Sequence, residues 1–163
     1  MNMRLAAMVL IATPVLAPAA AQAPNGRETL TQTAFFARDK ATALAQIAAV
    51  EAAAAATLAR TPTDSEALMT RAMATSYRAK LTHSRADALS ARGQFEAIAH
   101  RNPRDPEAQA ALGAWHLNAV ASLGPLMARA GLGARKGEGI ESLDRAIALG
   151  GDRALFPALE AML

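Results

Sequence analysis

Three histidines, His83, His100 and His116, are the side chains that ordinarily titrate near neutral pH. Each could serve as a general acid or base, or as a metal ligand, if a second group converged on it. No HExxH or other ligand spacing surrounds any of them, so they read as surface or groove-edge histidines. His116 stands apart because it follows Trp115, close to an inward-facing helix stripe. There it either hydrogen-bonds a ligand or closes a core contact. An enzyme would need an acid–base pair converging near His116, and the sequence shows none. The serines and threonines form no GxSxG elbow and no triad arrangement. There is no cysteine, which removes disulfides, thiolate nucleophiles and thiolate metal ligands. The expectation is therefore a protein that is not an enzyme and uses no metal and no cofactor.

The stretch 131–139, GLGARKGEG, places Arg135 and Lys136 among glycines, as an anion cradle would. A phosphate-binding loop, however, has the form GxxxxGK[ST] and follows a buried strand. Neither condition holds, so the segment reads as a mobile connection between two helices, or as a gate over a groove. Trp115 and Tyr77 are the only residues of their types. At helical spacing such side chains more often pack in a core than stack on a ligand. With His116 they are nevertheless the candidates for groove contacts. Met69 and Met73 read as core.

The elements that must hold these residues are helical. Apolar residues make up 52% of the chain and aromatics only 4%, with alanine dominant. Alanine is the strongest helix former, whereas strands favour β-branched and aromatic residues. A chain of 163 residues is long enough for one compact domain. Its formal charge is +3, with basic residues scattered among acids, which argues against a nucleic-acid surface.

The first residues have the layout of a secretory signal. Arg4 precedes an apolar run from Leu5 to Leu16, and Ala21-Gln22-Ala23 supplies small residues for cleavage after Ala23. Pro14 and Pro18 break the run, and a spanning helix needs about 20 apolar residues. No second segment reads as long and apolar enough to span. The expectation is a signal peptide over 1–23 and one helical domain over 24–163. The mature protein would be secreted, or periplasmic if the source is Gram-negative.

Periodicity and punctuation then place the helices. Thr29 to Arg60 is helical, with a break near Arg38-Asp39-Lys40 or one long helix. A third helix spans Ser65 to Thr82, with Leu68, Met69, Ala72, Met73, Tyr77 and Leu81 on one face. A fourth follows His83-Ser84-Arg85, with Ala88, Ala91, Phe95, Ile98 and Ala99 as its stripe. Asp105 caps a fifth, and Pro106 suits its first position. That helix carries Ala108, Ala111, Leu112, Trp115, Ala119 and Leu123 inward, and Gly124-Pro125 bends or ends it. A short piece, LMARA, precedes the glycine-rich stretch. A sixth helix from Gly139 to Leu149 turns Ile140, Leu143, Ala146 and Ile147 inward, and a last segment follows Gly150-Gly151.

Three joints line up: TPTDSEAL at 61–68, NPRDPEAQ at 102–109 and GGDRAL at 150–155. Their aspartates, Asp64, Asp105 and Asp152, stand 41 and 47 residues apart. A recurring pair of amphipathic helices with stop–start joints predicts an α-solenoid. On these residues the chain resembles the tetratricopeptide repeat family. The matching positions are Ala91 and Phe95 with Pro103 after them, Met73-Ala74 and Tyr77, and Leu112-Gly113 with Gly139, Leu143 and Ala146. The family period is 34, shorter than either interval here. Ile98 stands where alanine is usual, His116 where an aromatic is usual, and Gly150-Gly151 replaces a closing proline. The likeness spans roughly 41–163 and extends to divergent exported bacterial members, some of which accompany solute transporters. It implies an all-α fold of antiparallel helix pairs stacked as a short arc.

Such an arc implies a groove for a protein or peptide partner. The expected function is an adaptor or scaffold in the cell envelope. The alternative is a small-molecule-binding accessory of a solute transport system, built around Trp115, His116 and the glycine-rich stretch and working with transporter components. No nucleic acid and no stable membrane insertion is expected. The apolar face near Leu163 raises a homodimer, or packs inside the monomer.

Overall fold

The structure, a computed structural model, describes residues 25–150. Among these residues it is all-α, with seven helices and no strand. They are α1 (Gly26–Phe36), α2 (Lys40–Arg60), α3 (Ser65–Thr82), α4 (Arg85–Arg101), α5 (Pro106–Leu123), α6 (Pro125–Leu132) and α7 (Lys136–Gly150). The signal-peptide segment, the GGDRAL joint beyond Gly150 and the Leu163 face lie outside the described residues.

Most helix starts are fixed by side-chain caps. Asn25, Asp39, Asp64, Ser84 and Asp105 each accept a backbone N–H of the first turn, satisfying a donor that the helix cannot. The Asp39 cap divides the N-terminal alanine-rich region into two helices, at the Arg38-Asp39-Lys40 break. Helix α3 ends on His83, a non-glycine residue in the left-handed region at φ 56. The following Ser84 N–H bonds back to the Ala79 carbonyl at 3.2 Å, closing that end.

The helices pack as antiparallel pairs: α1 with α2, α3 with α4, and α5 with α7. Helix α6 is inserted between the last two and packs on α5 and α4. The pairs are joined by α2 against α3 and α4 against α5. Three apolar clusters result. Leu30, Ile47, Val50 and Ala74 fill the first, with Tyr77 at its edge. Met69, Ala72, Phe95, Ile98, Trp115 and Leu132 anchor the central one. Ala110, Leu117, Leu143 and Ala146 make the third.

The α5–α7 crossing depends on glycine. A Cβ added at Gly113 would lie 2.8 Å from the Gly139 carbonyl oxygen, and one at Gly139 would lie 2.7 Å from Leu117 Cγ. Two backbones in such contact leave no room for a methyl group.

Four expectations need correction. The stretch 131–139 is not an extended connection. Helix α6 runs through Gly131 to Leu132, three residues turn the chain, and α7 starts at Lys136. Gly133 makes this short turn by adopting φ 68. Ile140 does not point inward. It is 36% exposed because Gly139, Ser142, Leu143 and Ala146 form the face that meets α5. Leu123 is also exposed, since the chain turns away at Gly124 before α5 can bury its last turn. Finally, α2 is by length and composition apolar enough to cross a membrane, with 21 residues and a mean hydropathy of 1.4. Its apolarity comes mostly from alanines, many of them on its exposed face, and only Ala43, Ile47, Val50, Ala54 and Leu58 are buried in the fold.

Candidate functional site

A groove of about 300 Å³ opens between α3 and α4. Leu68, Ala97 and Ile98 give it an apolar lining, and Arg71, Gln94 and Arg101 supply polar groups. The 3.6-residue repeat explains the division. Phe95, Ile98 and Ala99 turn toward the core, which places Ser90, Gly93, Gln94, Ala97 and Arg101 along the groove. Arg71 Nε and Gln94 Oε1 are both shut off from solvent and have no hydrogen-bond partner. The Gln94 amide nitrogen is occupied, donating to Ser90 Oγ at 3.1 Å and Thr75 Oγ1 at 3.4 Å. A second, wider concavity of about 430 Å³ lies where Ala99, His100, Pro103, Gln109, Leu112 and Arg145 meet.

The groove is flanked by a polar row that is internally satisfied. Arg78 bridges Glu51 of α2 and Asp87 of α4, the latter at 2.8 Å. Hydrogen bonding to that guanidinium holds the Asp87 carboxyl below its ordinary range. Thr75 donates either to Glu51 Oε1 at 2.9 Å or to the Arg71 carbonyl at 2.9 Å.

The structure does not bring Tyr77, Trp115 and His116 together in an open groove. Tyr77 packs beside the first cluster, half-buried, and burial raises its phenol above the ordinary value. Trp115 is 7% exposed and His116 only 2%. Their rings meet edge to face at 5.1 Å. Neither lines either groove.

His116 sits instead at the joint of α5, α6 and α7. Its Nδ1 accepts the Arg135 backbone N–H at 3.2 Å, just before α7. Its Nε2 lies 3.5 Å from Glu138 Oε2, and Glu138 in turn pairs with Arg135 at 2.6 Å. An acidic partner thus does converge on His116, contrary to the sequence expectation. Glu138 lies in the glycine-rich stretch 131–139, where α7 already starts at Lys136 and turns this side chain toward His116. Burial pushes the imidazole below its usual value, against the opposing charge of Glu138. The buried ring, with Nδ1 bonded to Arg135 and Nε2 facing Glu138, ties α5 to the start of α7.

Arginines of α4 secure the same joint. Arg85 Nε donates to the Gly131 carbonyl at 2.8 Å, and Arg92 Nη1 to the Leu132 carbonyl at 2.9 Å. Arg92 also lies over the Trp115 ring, 5.9 Å from its centroid. The two side chains therefore satisfy carbonyls that the last turn of α6 leaves open.

The α3/α4 groove is the candidate site. Sequence periodicity marked Leu68, Ala88, Ala91 and Ile98 but passed over Arg71, Gln94 and Arg101. Nothing local in the sequence singles them out, because the groove forms only when α3 packs on α4. Among the described residues, no three His, Cys, Asp or Glu side chains converge as a metal-ligand set. Comparison with models of protein families, with curated proteins and with solved structures finds no match.

Proposed function

We propose that this chain is an exported, tetratricopeptide-like helical-repeat protein that holds a protein or peptide partner in the cell envelope and is not an enzyme. The observation that carries this is the open α3/α4 groove, bounded by two helices and lined by both apolar and polar side chains. Small-molecule sites bury most of their ligand in an enclosed cavity. An open groove between helices suits a segment of another chain. The stacked hairpins, with Asp64 and Asp105 capping successive pairs, support the repeat-like architecture. The signal-like start of the sequence supports export.

The transport-accessory alternative relied on a cavity around Trp115, His116 and the 131–139 stretch. Those side chains are packed into a helix joint, so no observation favours it over a partner-binding groove.

A photo-crosslinking residue placed at Ala97, inside the groove, tests the proposal in intact cells. The expected result is one discrete crosslinked protein, absent when the probe is moved to Ala48 on the far face of α2. Labelling that is diffuse or identical at both positions would refute it. The mass of the recovered protein checks export, with a mature chain starting at Pro24 as the expected form.

A further inference from the structure

We propose that one end of the helix stack docks on a bilayer with an anionic surface. Phe35-Phe36 and Leu126-Met127 enter the lipid, and the basic residues around them rest on the headgroups. The docking is independent of the α3/α4 groove and leaves it free for a partner.

Helix directions define this end. Arg27 pairs with Glu66 at 2.5 Å and with Glu107 at 2.8 Å, so one guanidinium gathers the first turns of α1, α3 and α5. Their last turns therefore lie toward the opposite end. Helix α1 runs beside α3 with Gly26 against Thr70, and equal rise per residue brings Phe36 level with Lys80. Helix α4 begins at the same end, where Asp87 binds Arg78 and Arg85 donates to the Gly131 carbonyl at 2.8 Å. Helix α6 opens there too, directly after the last turn of α5.

The apolar side chains gathered at this end have no role in the core. Leu30 and Thr33 bury the inner face of α1, which turns Phe35 and Phe36 outward. Ala128 and Leu132 do the same for α6 and leave Leu126 and Met127 outside. These four are the most exposed large apolar residues among those described, between 65% and 84%. None belongs to a core cluster or borders either concavity. Side chains that project from a surface without a hollow beside them suit a deformable apolar phase. Two separate pairs also give a second copy little to bury, against the roughly 800 Å² per partner of a stable interface.

Charge selects the kind of bilayer. Arg38, Lys40, Lys80, Arg85 and Arg129 are exposed around the two apolar pairs. The carboxylates nearby are occupied: Asp39 caps α2 and Asp87 holds Arg78. The opposite end is of mixed sign, with Glu28, Glu66 and Glu107 set among its arginines. Exposed phenylalanine and leucine ringed by lysine and arginine match a surface with apolar depth under negative headgroups.

The test uses the chain from Pro24 to Leu163, so that the apolar run 5–16 does not itself enter lipid. It should float with vesicles of phosphatidylcholine containing one-quarter phosphatidylglycerol and not with phosphatidylcholine alone. F35S/F36S and L126S/M127S should each weaken partitioning about tenfold, as should R38Q/K40Q. R60Q/R104Q, which removes equally exposed charge from the opposite end, should leave it unchanged. Thermal midpoints equal to the wild type keep these losses apart from unfolding. Phe36→Trp fluorescence should be quenched by brominated lipid, over a background from Trp115 that is buried and unquenched. Absence of flotation, equal partitioning into both vesicles, equal losses in the two charge variants, or an unquenched Phe36→Trp would each overturn the proposal. So would sedimentation showing a dimer that F35S/F36S turns into monomers, which would assign the patch to a second copy. If the vesicle tests fail while the Ala97 crosslink still captures one protein, the docking falls and the adaptor function survives.

Discussion

His116 accepts the Arg135 backbone N–H through Nδ1 at 3.2 Å, which places the imidazole proton on Nε2, facing Glu138 at 3.5 Å. The α5–α7 joint is thus built around a neutral histidine. Protonating Nδ1 would set two N–H groups against each other and break the contact.

This geometry makes stability depend on pH. Burial lowers the folded-state value, whereas the unfolded side chain titrates near about 6.5. Between those values the unfolded chain binds the proton more readily. The stabilisation is complete above the unfolded value and is lost as pH falls through it to the folded value. Glu138 and Glu96 oppose the downward shift, while Arg92 and Arg135 reinforce it. Urea midpoints taken from pH 7.5 down to pH 5 should fall more for the wild type than for His116→Gln, which stays neutral. At pH 7.5 His116→Ala should cost about 1–3 kcal/mol, from losing the packed ring and leaving the part-buried Arg135 N–H without its acceptor. Parallel pH profiles for the wild type and the glutamine variant would remove His116 as the cause.

Two glycine-to-alanine substitutions should move stability in opposite directions. Gly113→Ala gains up to about 1 kcal/mol of helix propensity but drives a methyl toward the Gly139 backbone, where overpacking costs about 1–3 kcal/mol. The clash wins and the thermal midpoint falls. Gly93→Ala enters open space on α4 and keeps the propensity gain alone, about 0.5–1 kcal/mol. A midpoint raised by both changes would show that α5 and α7 can separate freely.

Local chemistry written within a few residues was legible in the sequence. Asp64, Asp105 and Pro106 set helix starts that the structure places as expected, and the stripes of α3 and α4 identify their core faces. What depended on long-range packing was not. Ile140 has the spacing of a core residue, yet the Gly113–Gly139 contact rotates α7 and leaves it exposed. Glycines at 131, 133, 137 and 139 suggested a loop, but only Gly133 needs the left-handed backbone, and the others sit in helices. The groove was equally hidden. Arg71 and Arg101 are 30 positions apart, and nothing local says that antiparallel packing of α3 on α4 brings them to one cleft.

The inserted helix α6 should loosen without its arginine clamps. Arg85 and Arg92 hold the Gly131 and Leu132 carbonyls from α4, while Leu126 and Met127 leave the outer face of α6 exposed. Ala128, Leu132 and Ala134 hold its inner face in the central cluster, and the two arginines close its C-terminal end. Arg92→Ala should raise amide hydrogen exchange over 128–134 by about tenfold, the equivalent of losing one charge-assisted hydrogen bond of about 1.5 kcal/mol. Exchange in α2 should not change. Uniform acceleration across the chain would indicate global destabilisation instead.

Arg78 should be the most acid-sensitive link among the helix pairs. It joins Glu51 of α2 to Asp87 of α4, so one cation ties three helices together. Removing it leaves two carboxylates facing each other. The side chains keep between 21% and 34% of their exposure, which reduces the loss to about 1–2 kcal/mol at neutral pH. The Asp87 carboxyl is held low by hydrogen bonding to Arg78, so its contribution is present above the unfolded value of about 3.9 and disappears as pH falls through the folded value. Arg78→Gln should therefore be less stable than the wild type at pH 7, and the gap should narrow as pH falls toward 3. Urea midpoints at the two pH values measure it. A gap that stayed constant would place the role of Arg78 in its packing against α2 and α4, with its charge contributing little.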